Sequence, residues 1–404
     1  MNATLQDSDR PLVACASRAA DPQEAVAELV AAIGDVELAG ALLFCSHTYP
    51  REELACALKA ALPGGPLIGC TSAGELTDRG YDTDSLQLIG FPADSFSMAS
   101  LRFDDLDNFD PEAAQGAIRQ LVAGARLDHA AAGDLHQVAL FFVDGLSHRE
   151  ELLTMTAQHA LGDVQLIGGS SGDGLSFRET AVLHEGRFHS DAAVIAVLTS
   201  RRPMHVFCAN HYRPGPAKMV ITEADPESRT VFEINAAPAA EEYLRLASPL
   251  APAPGAGLDE ALDVHFFAAH PPMVRTGGQY HVRSIQSANA DGSLTFYCAI
   301  DTGVVLTIGE PVDRLSWMRE LFQSVSRKVG AIDRIIGFDC VLNRLDAEDR
   351  QILREVSDIY VENKVLGFST YGEQFLAAHM NQTFSGLAIG RSGEQVAAAP
   401  PDGR

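Results

Sequence analysis

Leu67-Ile68-Gly69-Cys70-Thr71-Ser72-Ala73-Gly74-Glu75 is the first of three copies of one pattern: an apolar strand that runs into a glycine turn carrying hydroxyls and an acid. The second copy, Leu166-Ile167-Gly168-Gly169-Ser170-Ser171-Gly172-Asp173, is one residue shorter between its hydroxyls and its last glycine. The third is Val365-Leu366-Gly367-Phe368-Ser369-Thr370-Tyr371-Gly372-Glu373. Each copy follows the same larger unit. An apolar strand comes first, at 41–44, 138–143 and 335–338. A polar loop and a helix follow. Leu54, Ala55, Leu58 and Leu62 recur at helical spacing along 52–61, and 150–161 and 346–361 have the same pattern. Strand, helix and strand in this order predict a right-handed crossover between parallel strands.

After each turn the chain is β-like and antiparallel, at 86–91, 192–198 and 384–389. A hairpin is expected around Asn289-Ala290-Asp291-Gly292, between 280–285 and 294–300, and a helix over 238–246. The fold class is therefore α/β, with duplicated strand–helix–strand units and mixed parallel and antiparallel sheets. At 404 residues the chain is long enough for two domains, with a boundary near residue 235. The Pro/Ala/Gly run at 249–257 is expected to be an exposed loop, and 391–404 a disordered tail.

The formal net charge of −24 argues against nucleic acid as the main partner, since phosphate binding needs clustered Lys and Arg. It also disfavours an anionic membrane surface. No stretch has the ~20 apolar residues of a membrane span, and the polar N-terminus is unlike a signal peptide, so the cytoplasm is the expected location. The seven cysteines are scattered, odd in number and free of any CxxC pair, which suits neither a disulfide framework nor a zinc site.

Gly168-x-Ser170-x-Gly172 fits the spacing of a serine nucleophile elbow, but that motif needs a helix straight after the serine. Here the chain leads into β-like 180–183, and the other two copies lack the spacing, so no enzyme is expected. The turns end in none of the phosphate-binding signatures, and Glu75, Asp173 and Glu373 would repel phosphate. Their plain reading is a tight turn whose acid caps nearby N–H groups.

The Ile-Gly-Cys-Thr-Ser-Ala-Gly-Glu stretch at 68–75 resembles the FIST domain, a bacterial sensory module. So do 168–173, Asn235 followed by Pro238-Ala239-Ala240-Glu241-Glu242-Tyr243, and 367–373. The resemblance implies an N-terminal extension at 1–24, a FIST N-terminal domain at 25–234 and a FIST C-terminal domain at 235–390. His379-Met380-Asn381-Gln382-Thr383 further resembles the stand-alone NosP-type members. Those imply haem b, nitric-oxide sensing, and control of a partner histidine kinase or cyclic-di-GMP enzyme in trans, and they leave room for a homodimer.

Haem needs one axial imidazole, an apolar slot and cations for its propionates. His270 is the first choice as the metal ligand. It lies in apolar 266–269, before two prolines taken to end a strand, with Arg275 for a propionate. On that strand reading His265, five positions earlier, faces the other way. His281 with Arg283 on one strand face comes next, then His211 with Arg213, then His379. Cys70 and Cys340 read as buried thiols rather than ligands. The alternative is a sensor without haem for a small metabolite such as an amino acid. Thr71, Ser72, Glu75, Ser170, Ser171, Asp173, Ser369, Thr370 and Glu373 would then supply hydroxyls and an ammonium site.

Overall fold

The computed structural model describes residues 10–62, 65–125, 135–248, 262–276 and 278–391. Most of the 1–10 terminus, the 249–257 run and almost all of the 391–404 tail lie outside them. The described residues form mixed α/β architecture with four sheets. Three have six strands each and are built on one plan.

In the first sheet the strands run in the order Val13–Ser17, Leu86–Pro92, Leu38–Ser46, Leu67–Ser72, with the hairpin Val182–His184 and Arg187–His189 at its far edge. The second runs Phe96–Asp104, Ala192–Ser200, His136–Val143, Gln165–Ser170, then the hairpin Glu373–Phe375 and Ala378–Met380. The third runs Met204–Ala209, Phe384–Gly390, Ile332–Cys340, Val365–Thr370, then the hairpin Glu75–Thr77 and Gly80–Asp82. Each repeat is thus a lead strand, a helix, a crossover pair, a turn, a hairpin and a closing strand. Each hairpin leaves its own sheet and completes the edge of another, so the three repeats exchange hairpins in a cycle. No single repeat closes its own edge.

The crossover pairs are parallel, as the strand–helix–strand order requires. Their apolar runs are continuous because both sheet faces are covered. In 38–46, Leu42 and Phe44 point into a core shared by all three sheets, whereas Ala41, Leu43 and Cys45 point at helices Pro22–Ile33 and Arg51–Ala61. In 136–143, Leu140 and Phe142 enter the shared core, and Phe141 and Val143 face their own helices. At the centre Phe44, Phe142 and Phe338 occupy equivalent positions. Phe44 lies 5.5 Å from Phe142, which lies 5.9 Å from Phe338, and Phe368 packs against all three.

The glycine that the three repeats share in the strand before each turn has a shared cause. A Cβ at Gly69 would stand 1.7 Å from the Leu43 carbonyl oxygen, one at Gly168 1.7 Å from that of Phe141, and one at Gly367 1.9 Å from that of Gly337. The parallel partner strand approaches too closely for any side chain there.

The fourth sheet uses residues between the lead strand and first helix of the third repeat. Its order is Gln279–Val282, Pro272–Thr276, Val305–Pro311, Tyr212–Asp225, Thr230–Ile234, Leu294–Phe296, Ile285–Ala288. Helices Ala239–Ala247 and Val264–Ala269 pack into its own apolar core. A hairpin forms around 289–292, but its strands are Ile285–Ala288 and Leu294–Phe296; Gln279–Val282, in the segment expected to pair, pairs with Pro272–Thr276 instead. Residue 235 lies inside this sheet, between Thr230–Ile234 and the short strand Ala237–Pro238. Residues 13–17 of the expected extension are an edge strand of the first sheet.

Two local expectations are corrected. The helix expected over 346–361 is two helices, Val341–Asp349 and Leu353–Glu362, separated where Gln351 adopts φ +58°. Residues 264–269 are helical rather than extended. The Asp263 carboxylate caps the first turn by accepting from the Phe266 N–H, and Pro271 follows the C-terminal cap.

Candidate functional site

The three turns close into a ring. Ala73 N–H donates to Ser369 O and Ser369 N–H to Gly74 O; Gly172 N–H donates to Thr71 O; Ser170 N–H donates to Gly372 O. Their side chains face inward, and among the described residues all of their acids and hydroxyls but that of Ser369 find partners locally. Glu75 is fully buried and accepts from the hydroxyls of Ser72 and Ser85. Glu373 is equally buried and accepts from Thr370 and Thr383, the matching positions one repeat away. Burial pushes the Glu75 carboxyl up to about 7 against the pull of its hydroxyl partners, and Glu373 up to about 8.

Asp173 departs from this pattern. Burial raises its carboxyl, but the Tyr371 hydroxyl and the N–H groups of Phe177, Arg178 and Glu179 outweigh burial and hold it low. Thr71 and Ser171 also bond to backbone, and Ser369 is buried. The Ser170 hydroxyl is buried and accepts from Gln374 Nε2 at 2.8 Å. The chain after Gly172 continues as loop to the strand Val182–His184, so it lacks the helix an elbow requires.

The candidate haem residues are spread over the fourth sheet and its border with the third repeat. His270 caps the C-terminus of the 264–269 helix. Its Nδ1 lies 3.1 Å from Phe266 O and its ring stacks on Phe266 at 4.6 Å. Because 264–269 is a helix, the argument from opposite strand faces does not apply to His265, whose Nδ1 lies 2.6 Å from Asp349. Arg275 is exposed and lies over the Tyr280 ring. His281 is half-buried on Gln279–Val282, and Arg283 follows the end of that strand, its N–H donating to Pro272 O. His211 is buried between Tyr212 and Trp317, 3.5 Å from Asp346. Burial pushes it down to about 4, with Asp346 pulling the other way. The His379 ring fills the space a Cβ at Gly372 would need. Burial raises the Cys70 and Cys340 thiols well above the ordinary range.

A cleft of about 640 Å³ opens between the second repeat and the fourth sheet. One wall is the loop 146–149, which follows the carboxyl end of parallel strand His136–Val143; the other is 226–229 with Ala299. Crevices at the carboxyl ends of parallel strands are where open α/β sheets usually bind ligands. Arg229 crosses the cleft floor. Its Nη2 donates to Glu150 Oε2 and Glu151 Oε2, each at 2.9 Å, and its Nη1 to Tyr297 O at 2.5 Å. Glu151 Oε1 accepts from Ala299 N–H at 2.7 Å, so both bonds of Glu151 tie the repeat to the fourth sheet. Nearer the rim Arg149 pairs with Asp107 at 3.1 Å, and Glu227 has no ion pair among the described residues.

The sequence reasoning missed this site. The only local signal was Glu150-Glu151 at the start of a helix, an ordinary favourable charge placement.

The FIST N domain family model matches residues 39–237, and the FIST C domain family model matches residues 239–376. The two models meet a few residues beyond the expected boundary. No curated protein matches the chain.

Proposed function

This chain belongs to the FIST family, and we propose that it senses a small polar metabolite of amino-acid size in the cleft between the second repeat and the fourth sheet. FIST domains are small-ligand-sensing domains of signal transduction, so catalysis is not the expected output. The cleft carries this reading. It has the volume of a small-molecule site, and it combines acids and arginines held by ion pairs. Arg149 is placed at the rim to receive a carboxylate. Binding there would bear on the contacts that hold the fourth sheet to the repeats, and a kinase or cyclic-di-GMP enzyme would read the change in trans. Thermal unfolding with a panel of amino acids tests the reading. A saturable rise in Tm that Arg149→Ala abolishes is expected; no response to any member would overturn it.

One observation favours a second reading. The contact of His270 Nδ1 with Phe266 O leaves Nε2 free, the arrangement of a tethered axial imidazole, and Arg275 is exposed for a propionate. Haem b bound there would supply an iron site for nitric oxide. Protein produced with a haem precursor should then show a Soret band that shifts with nitric oxide and is lost in His270→Ala. A colourless protein, or an unchanged band in the variant, rejects the assignment.

A further inference from the structure

We infer that the cleft selects ligands bearing an ammonium group, and that Glu151 is the residue that reads it, letting go of Arg229 as it does so. The inference rests on the cleft being the ligand site. It begins with a charge count. Four carboxylates, those of Asp107, Glu150, Glu151 and Glu227, meet two guanidinium groups, those of Arg149 and Arg229. Arg149 is matched by Asp107. Arg229 has two acids where one would neutralise it, and Glu227 adds a second surplus acid at the rim.

The two acids on Arg229 are not equivalent. Glu150 is only 4% exposed, behind the floor, and does not line the cleft. Glu151 is 30% exposed and lines it. An ammonium entering the cleft therefore meets Glu151 first, with Glu227 across from it. Arg229 remains neutralised by Glu150 and bonded to Tyr297 O, so the exchange leaves no buried charge unpaired. An incoming carboxylate alone would meet a site with surplus negative charge and would be repelled from the floor. Among the described residues no group of three His, Cys, Asp or Glu side chains is placed to hold a metal ion, which favours an organic cation over a metal.

The exchange also has a mechanical consequence. Glu151 holds Ala299 N–H as well as Arg229, and the segment 297–299 continues into Tyr297. The Tyr297 ring packs at 5.8 Å from Phe177, which stacks at 4.3 Å on Tyr371 in the third turn. Leu146 lines the cleft and packs in the same aromatic group. Turning Glu151 toward a ligand loosens the hydrogen bond that ties the Ala299 amide to the second repeat, and the stack of Tyr297 on Phe177 transmits the change to the ring of turns.

The experiment uses the full chain and ligand pairs that differ by one ammonium: alanine against propionate, glutamate against glutarate, and γ-aminobutyrate against butyrate. Thermal shift and calorimetry report binding, and hydrogen exchange reports the 297–299 amides. The amine of at least one pair should bind, and its deaminated partner should bind at least about tenfold more weakly, the loss of one charge-assisted contact. Glu151→Gln should weaken the amine by a similar factor without changing the partner, and Glu151→Asp should recover part of the loss. Exchange at 297–299 should rise on binding. If both members of a pair bind equally, the ammonium assignment falls while the cleft reading stands. If amine selectivity survives Glu151→Gln in a variant with native circular dichroism, Glu151 is not the reader. If exchange at 297–299 is unchanged, the release step is wrong. If no compound binds, the cleft reading and this inference fail together.

Discussion

The ring of turns and the cleft both hold acidic side chains, yet they treat charge in opposite ways. In the ring each acid meets donors supplied by its own fold. Glu75 and Glu373 sit in equivalent hydroxyl pairs, and Asp173 takes three backbone N–H groups and a phenol. Among the described residues of the turns, the buried Ser369 hydroxyl is the one side chain without a hydrogen-bond partner. In the cleft the acids outnumber their cations, and one of them bridges two parts of the molecule. The contrast teaches that repetition and function separate here. The threefold pattern recurs where packing demands it, and the surplus charge appears at a junction that occurs once.

The contrast can be broken most sharply at the ring's glycines. Gly168→Ala places a methyl group against the Phe141 carbonyl, where the parallel strands must separate. We expect a loss of about 4 kcal/mol or more in urea unfolding, or no soluble protein. A variant with the native midpoint would mean the ring is soft. Phe44→Ala removes the ring that contacts both Phe142 and Phe368 and should cost about 3–5 kcal/mol.

A smaller effect comes from the buried acids. An unfolded glutamate titrates near ~4.3, whereas burial lifts Glu373 to about 8 in the fold. Between these values the folded state keeps a proton that the unfolded state has lost. Stability from this group is therefore fully present below the unfolded value and falls as pH rises toward the folded one. Glu373→Gln should flatten the decline by up to about 1.4 kcal/mol per pH unit across that window. Denaturation midpoints at pH 5 and pH 8 give the slopes, and equal slopes in both proteins would remove the raised acid from the account.

Ser170→Ala should cost only about 1 kcal/mol, one buried hydrogen bond from Gln374. Smallest of all is Arg149→Ala at the half-exposed rim, expected within about 0.5 kcal/mol of the parent without ligand. A large destabilisation there would make the cleft part of the frame rather than a site.

Much of the frame was legible in the sequence because it rests on local chemistry. Continuous apolar runs marked strands buried on both faces. The order strand–helix–strand marked parallel pairing, whereas the carbonyl against which each shared glycine packs showed only in the structure. Where local chemistry is ambiguous, packing decides. Residues 264–269 are apolar enough for either strand or helix, and only the Asp263 cap and its packing resolve them. The cleft left only the Glu150-Glu151 helix start in the sequence. Glu150, Glu151, Arg229 and Ala299 come together across about seventy and more positions of chain, so no spacing rule connects them.

By itself the sequence determined that three like units exist, that each crosses over in parallel, and that each ends in a turn carrying glycine, hydroxyls and an acid. These follow from side-chain period and backbone sterics, which act between neighbours. The tertiary structure alone decided that each unit lends its hairpin to another, that the three turns bond into one ring, and that a fourth sheet stands against the second repeat. Those outcomes depend on which edges and charges meet across long stretches of chain. The same meeting turned Glu151 from a helix-start acid into a bridge between two parts of the molecule.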